Sequence, residues 1–177
     1  MTEKIDIAEI LKDKPANTKL YSPLFGEVYF SHVGGGNIAM EHHGGISLYF
    51  SSGRFFDYDE SEPLLFPSKE MRDWRKFAWK KGDVLVNSRG LKILFDRWAN
   101  DNYTSFYAKT INLVEDCFLD TNLHTLASEK EAKSFIKCIE EKLGGKLNRE
   151  TLEVEKTQPE FKDGDIAFAD YGNRQDV

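Results

Sequence analysis

Cysteine is nearly missing from this chain: Cys117 and Cys138 are the two in 177 residues. Two thiols cannot build a disulfide framework, and neither has the spacing of a metal-ligand pair. Each lies among apolar neighbours, so buried free thiols are expected. No run of about eighteen apolar residues occurs, which excludes a membrane-crossing helix. The opening stretch, MTEKIDIAEILKDK, is charged throughout and carries no apolar signal segment. A soluble protein of the cytoplasm is expected. A basic excess is missing as well. The 24 Lys and Arg residues face 30 Asp and Glu, a net charge of −6, which argues against duplex DNA or RNA as a partner.

Catalytic signatures are equally scarce. GxSxG, HExxH and CxxC do not occur. The glycines of Gly34-Gly35-Gly36-Asn37 lack the Lys-Ser/Thr that a phosphate loop needs and do not open a helix. Glu41-His42-His43 invites a metal, but adjacent strand residues point to opposite faces, so an exposed hairpin tip is expected instead. Asp57, Asp59, Glu60 and Glu62 cluster in a polar turn, where carboxylates are ordinarily solvated. Cys117 and His124 pair as nucleophile and base by composition alone. No enzymatic activity, catalytic residue, metal or cofactor is expected.

Aromatics, by contrast, are plentiful, with 13 Phe, 7 Tyr and 3 Trp, and each ring can fill a thin β core. Asp6, with Glu9 three residues on, caps a short first helix whose Ile7, Ile10 and Leu11 share a face. From Lys19 to Phe66 short strands alternate with turns. In that hairpin pattern Ile38, Met40 and His42 face one way, matched across the HGG turn by Ile46, Leu48 and Phe50. RFFDY and PLLF read as further short strands. Ser68 is the expected cap of a helical turn over Lys69–Trp74. A second strand series runs from Val84 to Leu126, with Leu91, Ile93 and Phe95 inward. The clearest element is a helix capped by Ser128 and Glu131, with Ala132, Phe135, Ile136, Ile139 and Leu143 on one face and Gly144 at its end. A hairpin turning at Asn148–Thr151 follows. The fold class is α+β, mostly β: two tandem small SH3-like barrels or bent antiparallel sheets, with a short N-terminal helix and an amphipathic helix at 128–143. The expected divisions are 1–67, a packed connector at 68–79, and 80–160.

One phrase appears twice. WKKGDVLVNSRG, residues 79–90, returns 82 residues later as FKDGDIAFADYG, residues 161–172. Gly82-Asp83 and Gly164-Asp165 read as turns that start a strand, with the aspartate bonding backbone amides rather than serving a site. A full module needs roughly fifty residues, and 17 follow Glu160. Residues 161–177 are therefore expected to add a strand or to begin a third, incomplete repeat.

Several phrases in order, among them KIDIAEILKDKPANTKLYSPLFGEVYF, LLFPSKEMRDW, KKGDVLV, LASEKEAKSFIKCIEEKLGGKLNRETLEVEK and FKDGDIAF, resemble a group of small uncharacterised proteins from gut Bacteroidales bacteria and their phages. The resemblance covers most of the chain. It implies a phage or mobile-element setting and supplies no activity, catalytic residue or binding residue.

Binding is the function class left. Arg54 beside Phe55, and Arg97-Trp98 near Tyr103 and Tyr107, are Arg–aromatic groups of the kind that hold peptides or nucleotides. Tyr29, Tyr49, Trp98 and Tyr107 are the rings expected on outward faces; with Arg54 and Arg97 they form the candidate ligand-binding set. A non-enzymatic binding or adaptor protein is expected, with a host or phage protein as partner. The alternative is a binder of small nucleotide signals, acting as a sponge against host defence. Arg72, Arg75, Lys76, Lys80 and Lys81, interleaved with Trp74, Phe77 and Trp79, would serve single-stranded nucleic acid.

Overall fold

The computed structural model of this chain describes residues 4–55, 62–114 and 116–156. The second copy of the repeated phrase and the carboxylates Asp57, Asp59 and Glu60 lie outside them. The described chain is mostly β, in antiparallel sheets, with three α-helices. No described helix is long and apolar enough to cross a membrane.

Local rules set the helices. Helix α1 (Ile7–Lys12) starts where the Asp6 carboxylate accepts the Glu9 N–H at 3.1 Å. The Asp6–Glu9 spacing is thus a working cap. Ile7, Ala8 and Leu11 are buried.

Strands β1 (Lys19–Ser22), β2 (Gly26–Gly34), β3 (Asn37–His42) and β4 (Gly45–Phe50) pair in chain order. Phe66 then bridges Tyr21 on the free side of β1, and Phe55 bridges Tyr49. These two bridges are what the expected RFFDY and PLLF strands amount to among the described residues. The second sheet joins β5 (Val84–Asn87), β6 (Lys92–Trp98), β7 (Ser105–Lys109), β8 (Asp116–Asp120) and β9 (His124–Leu126) in the order β8-β7-β6-β5-β9. A 3₁₀ turn at Thr121–Leu123 carries the chain from β8 back to β9. Both sheets follow one plan: a four-strand meander whose first strand also accepts a later segment. Among the described residues both stay open, with free edges.

Each second strand also carries a bulge, between Phe30 and His32 in β2 and between Phe95 and Arg97 in β6. A bulge adds one residue to one side of a pair and shifts every later side chain to the other face.

Helix α2 (Trp74–Phe77) lies between the sheets. It is shorter than expected and starts later, because the Asp73 carboxylate, not Ser68, accepts the first free amides, from Arg75 and Lys76. Ser68 ties the connector down instead. Its hydroxyl accepts the Met71 N–H and donates to the Asn102 carbonyl. Trp74 donates its indole N–H to the Leu65 carbonyl at 3.0 Å, and Lys76 Nζ donates to the Thr121 carbonyl at 2.9 Å. The connector thus holds both sheets.

Tyr103 completes the seam. It sits in the β6–β7 turn at φ +57°, reaches into the first core and packs edge-on against Phe77 at 4.9 Å. Its hydroxyl donates to the Lys19 carbonyl at 2.8 Å.

The second sheet has a core on one face, and α3 covers part of the other. Trp79, Leu85, Ile93, Phe95 and Phe106 fill one side. On the other, Val84 and Leu94 meet Ile139 and Leu152. Ile139 comes from α3 (Glu129–Leu143), which has the full capping box of Ser128 and Glu131 and ends at Gly144 with φ +71°. The hairpin β10 (Gly145–Asn148) and β11 (Glu153–Lys156) supports it. Cys138 faces outward on α3 and Cys117 is half-buried. Neither is the buried thiol that its apolar neighbours suggest, because Cys138 lies off the helix's inner stripe.

The first copy of the repeated phrase behaves as a turn. The Asp83 carboxylate accepts the Lys80 N–H at 2.8 Å, while Arg149, at the β10–β11 tip, donates to the Gly82 carbonyl and to Asp83. Gly82 has φ +83°, and a Cβ there would lie 2.6 Å from the Arg149 carbonyl oxygen. Gly82→Ala is therefore expected to cost about 2 kcal/mol or more, from backbone strain and the clash, read as a lowered urea midpoint.

Burial pushes the Tyr103 phenol up to about 12, and burial raises Tyr49 as well. Unfolded tyrosine ionises near 10, so the folded state holds these protons more tightly. Their contribution is full below about pH 10 and is lost as pH rises toward 12. Tyr103→Phe is expected to lose about 1 kcal/mol at neutral pH and to flatten that alkaline loss. Tyr103→Ala is expected to lose about 3 kcal/mol or more. Urea unfolding at stepped pH measures both, and an unchanged alkaline slope in Tyr103→Phe would remove Tyr103 as its source.

Candidate functional site

The structure divides the candidate residues among a surface row, a cleft and two cores. On the outer face of the second sheet, registers Arg97↔Tyr107 and Tyr107↔Phe118 set three side chains side by side across β6, β7 and β8. The Arg97 guanidinium lies 4.5 Å from the Tyr107 ring centre, and Tyr107 meets Phe118 edge-on at 5.7 Å. Phe118 is 64% exposed on a strand at the sheet's edge. Around the row runs an ion-pair chain. Asp96, 8% exposed, pairs with Lys81 at 2.9 Å and with Arg97. Asp116 pairs with Lys109 at 2.6 Å and with Arg97 at 3.4 Å. Asp116 sits below the usual carboxylate range because the Lys109 ammonium bonds it. These pairs hold Arg97 over its ring, so the row is ordered without a ligand.

Trp98 is the correction on this sheet. Simple alternation from Phe95 puts it outward; the bulge at Asp96 turns it inward. There it stacks on Trp79 at 5.8 Å and meets Phe95 and Tyr103 edge-on. Its indole N–H is buried without a hydrogen-bond partner among the described residues.

Tyr49 is the second correction. It is 0% exposed, and its hydroxyl donates to Ser22 Oγ at 2.8 Å. The β3–β4 loop has two residues, His43 and Gly44, so His42 faces Gly45 and Ile38 faces Tyr49. A three-residue turn would have put Phe50 there. Ser47 and Tyr49 therefore go inward, and Ile46 and Leu48 go out. Ser47 tolerates burial because its hydroxyl lies 2.7 Å from His42 Nε2.

Tyr29 is exposed as expected, on the outer face of the first sheet beside Glu27 and Glu41. It has no part in the row. His42 stacks on Phe25 at 4.0 Å. Among the described residues no group of three or more His, Cys, Asp or Glu is placed to hold a metal.

The basic tract does not form one surface. Lys76 is spent on the Thr121 carbonyl, Lys80 pairs with Asp13 at 2.6 Å, and Lys81 pairs with Asp96. Arg72 and Arg75 separate from them and, with Arg54 and Lys4, line a cleft of about 500 Å³ beside Phe66 and Trp74. Arg72 lies 4.7 Å from the Phe66 ring centre. Among the described residues the cleft has one carboxylate, Asp73, which is occupied in capping α2.

Phe118 and Lys4 were not among the sequence candidates. Phe118 was readable, since Cys117 and Leu119 flank it as the inward pair of a short strand. Lys4 carries no local signal; only the folding of α1 against the connector brings it there. Comparisons with family models, with curated proteins and with solved structures found no match to this chain.

Replacing Trp98 by Phe removes the unpartnered N–H while keeping a ring. Relief of that group, about 1–3 kcal/mol, offsets the lost area, so Trp98→Phe is expected to stay within about 1 kcal/mol of the parent. Trp98→Ala is expected to lose about 3 kcal/mol or more. Thermal and urea melts of the pair measure the difference.

Proposed function

We propose that this chain is a non-enzymatic binding protein of two tandem SH3-like modules, whose partner is a protein docked on the second. The strand plan supports the module reading: five segments, the last returning to the first after a 3₁₀ turn in the second sheet, and one bridge at Phe66 doing the same in the first. Such a fold hosts many functions, so the argument rests on the surface.

The observation that carries it is the Arg97–Tyr107–Phe118 row. Arg and aromatic side chains dominate binding hot spots, and this row abuts an edge strand whose outer backbone groups have no strand partner among the described residues. An extended partner segment adding to β8 would make main-chain bonds there and lay an apolar side chain on Tyr107 and Phe118. Balanced charge around the row favours a peptide over a polyanion. The resemblance to small proteins of Bacteroidales and their phages supports a host or phage protein, met in the cytoplasm, as that partner.

Phe118→Asp is expected to weaken partner binding about tenfold or more, while Leu91→Asp, at an exposed residue away from the row, is expected to leave it unchanged. Quantitative pull-downs with the full chain, followed by titration of the recovered protein, test this. Equal retention by Phe118→Asp and the parent would sink the docking face.

A further inference from the structure

We propose that the protein segment accepted by the edge of β8 runs antiparallel to it and carries Lys or Arg two residues before a large apolar side chain. The inference rests on the docking reading of this face and names the partner's chemistry.

The first ground is what the edge displays. Asp116, Phe118 and Asp120 are exposed in alternation along β8, with Cys117 and Leu119 half-buried between them. In a strand added there, the residue opposite Phe118 lies on its ring, and the residues two away face Asp116 and Asp120. The residues between turn inward, beside Cys117 and Leu119, where Leu119 already packs on the second core. Those positions call for apolar side chains. Every pair in this sheet is antiparallel, and antiparallel pairing is the more stable kind per residue.

The second ground is that the two aspartates differ. Asp116 is matched by Lys109 at 2.6 Å and by Arg97 at 3.4 Å. Asp120 has no ion-pair partner among the described residues; its Oδ1 accepts the Asn122 N–H at 2.7 Å. Its carbonyl already accepts from the His124 ring at 2.9 Å. What Asp120 has left to offer is its second carboxylate oxygen, which a long cationic side chain can reach. In an antiparallel partner, the position facing Asp120 comes two residues before the one facing Phe118. The asymmetry thus sets direction as well as register.

The third ground concerns the other occupants. A second copy that stacked its Phe118 on this one would set Asp116 of each chain opposite Asp120 of the other. Like charges directly opposite destabilise a strand pair. Residues 1–3, 56–61, 115 and 157–177, outside the described residues, hold no Lys or Arg two positions before a large apolar residue. None of them has the pattern that this edge selects.

The test selects a displayed library of short random peptides on the full chain at low ionic strength. Enriched sequences are expected to carry Lys or Arg two residues before Phe, Tyr, Trp, Leu or Ile, and to be lost on Phe118→Asp. One enriched peptide, and the same peptide with Glu in place of its cation, are then titrated. The parent chain is expected to prefer the cation about fivefold or more, less so in added salt. Asp120→Asn keeps an acceptor to cap the 3₁₀ turn but removes the charge, and is expected to bring that preference below about twofold. Melting curves of both variants confirm folding. Peptides that need Phe118 but show no cation preference, or keep it in Asp120→Asn, overturn this inference and leave the docking face standing. A cation two residues after the apolar side chain overturns the direction, and the inference with it. No enrichment, or enrichment indifferent to Phe118→Asp, overturns both readings. Sedimentation that shows a dimer in the parent and a monomer in Phe118→Asp makes a second copy the occupant, which also overturns the inference.

Discussion

The hydrogen bond from the Tyr103 hydroxyl to the Lys19 carbonyl joins a turn of the second sheet to the first strand of the first. Around it the seam is built. Phe77 from the connector packs on the Tyr103 ring, and the Thr121 hydroxyl donates to the Tyr103 carbonyl. The side chain can reach the first core only because its backbone takes a left-handed turn conformation. A buried phenol needs a partner for its proton, and the Lys19 carbonyl supplies one. The two sheets therefore share a wall, and the connector is part of that wall rather than a tether.

This wall decides which cations are available to a ligand. Lys76 and Lys80 serve it directly, one on the Thr121 carbonyl and the other on Asp13. Lys14 lies over the Phe77 ring at 4.7 Å, and burial there lowers its affinity for the proton. A tract that looks continuous along the chain is thus divided by packing. Some of its charges staple the modules, and Arg72 and Arg75 turn toward the first module's cleft. Linear clustering of charge says little about surface charge once a short helix rotates successive residues through about 100° each.

Helix ends were the most readable part of the sequence, because capping depends on residues three apart. Asp6 with Glu9, and Ser128 with Glu131, needed no knowledge of the rest of the fold. Strand faces were harder, because parity carries no error correction. In β4 one residue of turn length exchanged the inward and outward sets, and the usual hydrophobic cue failed since Ile46 and Leu48 are the exposed ones. Arg97 and Tyr107 were identifiable as a pair by type, and the register does bring them together. The cleft was not identifiable. It joins Lys4, Arg54 and Arg72 from segments far apart in the chain, and only tertiary packing relates them.

The bulge at Asp96 has a consequence for how such a surface can change. Were the strand regular there, Trp98 would point outward and Arg97 would point into the rings of the core. A deletion of one codon would therefore invert what this strand displays while leaving its composition almost intact. The matching irregularity between Phe30 and His32 gives the first sheet the same property. In a pair of modules built on one plan, the length of a strand, as much as the identity of its residues, sets which side chains a partner meets.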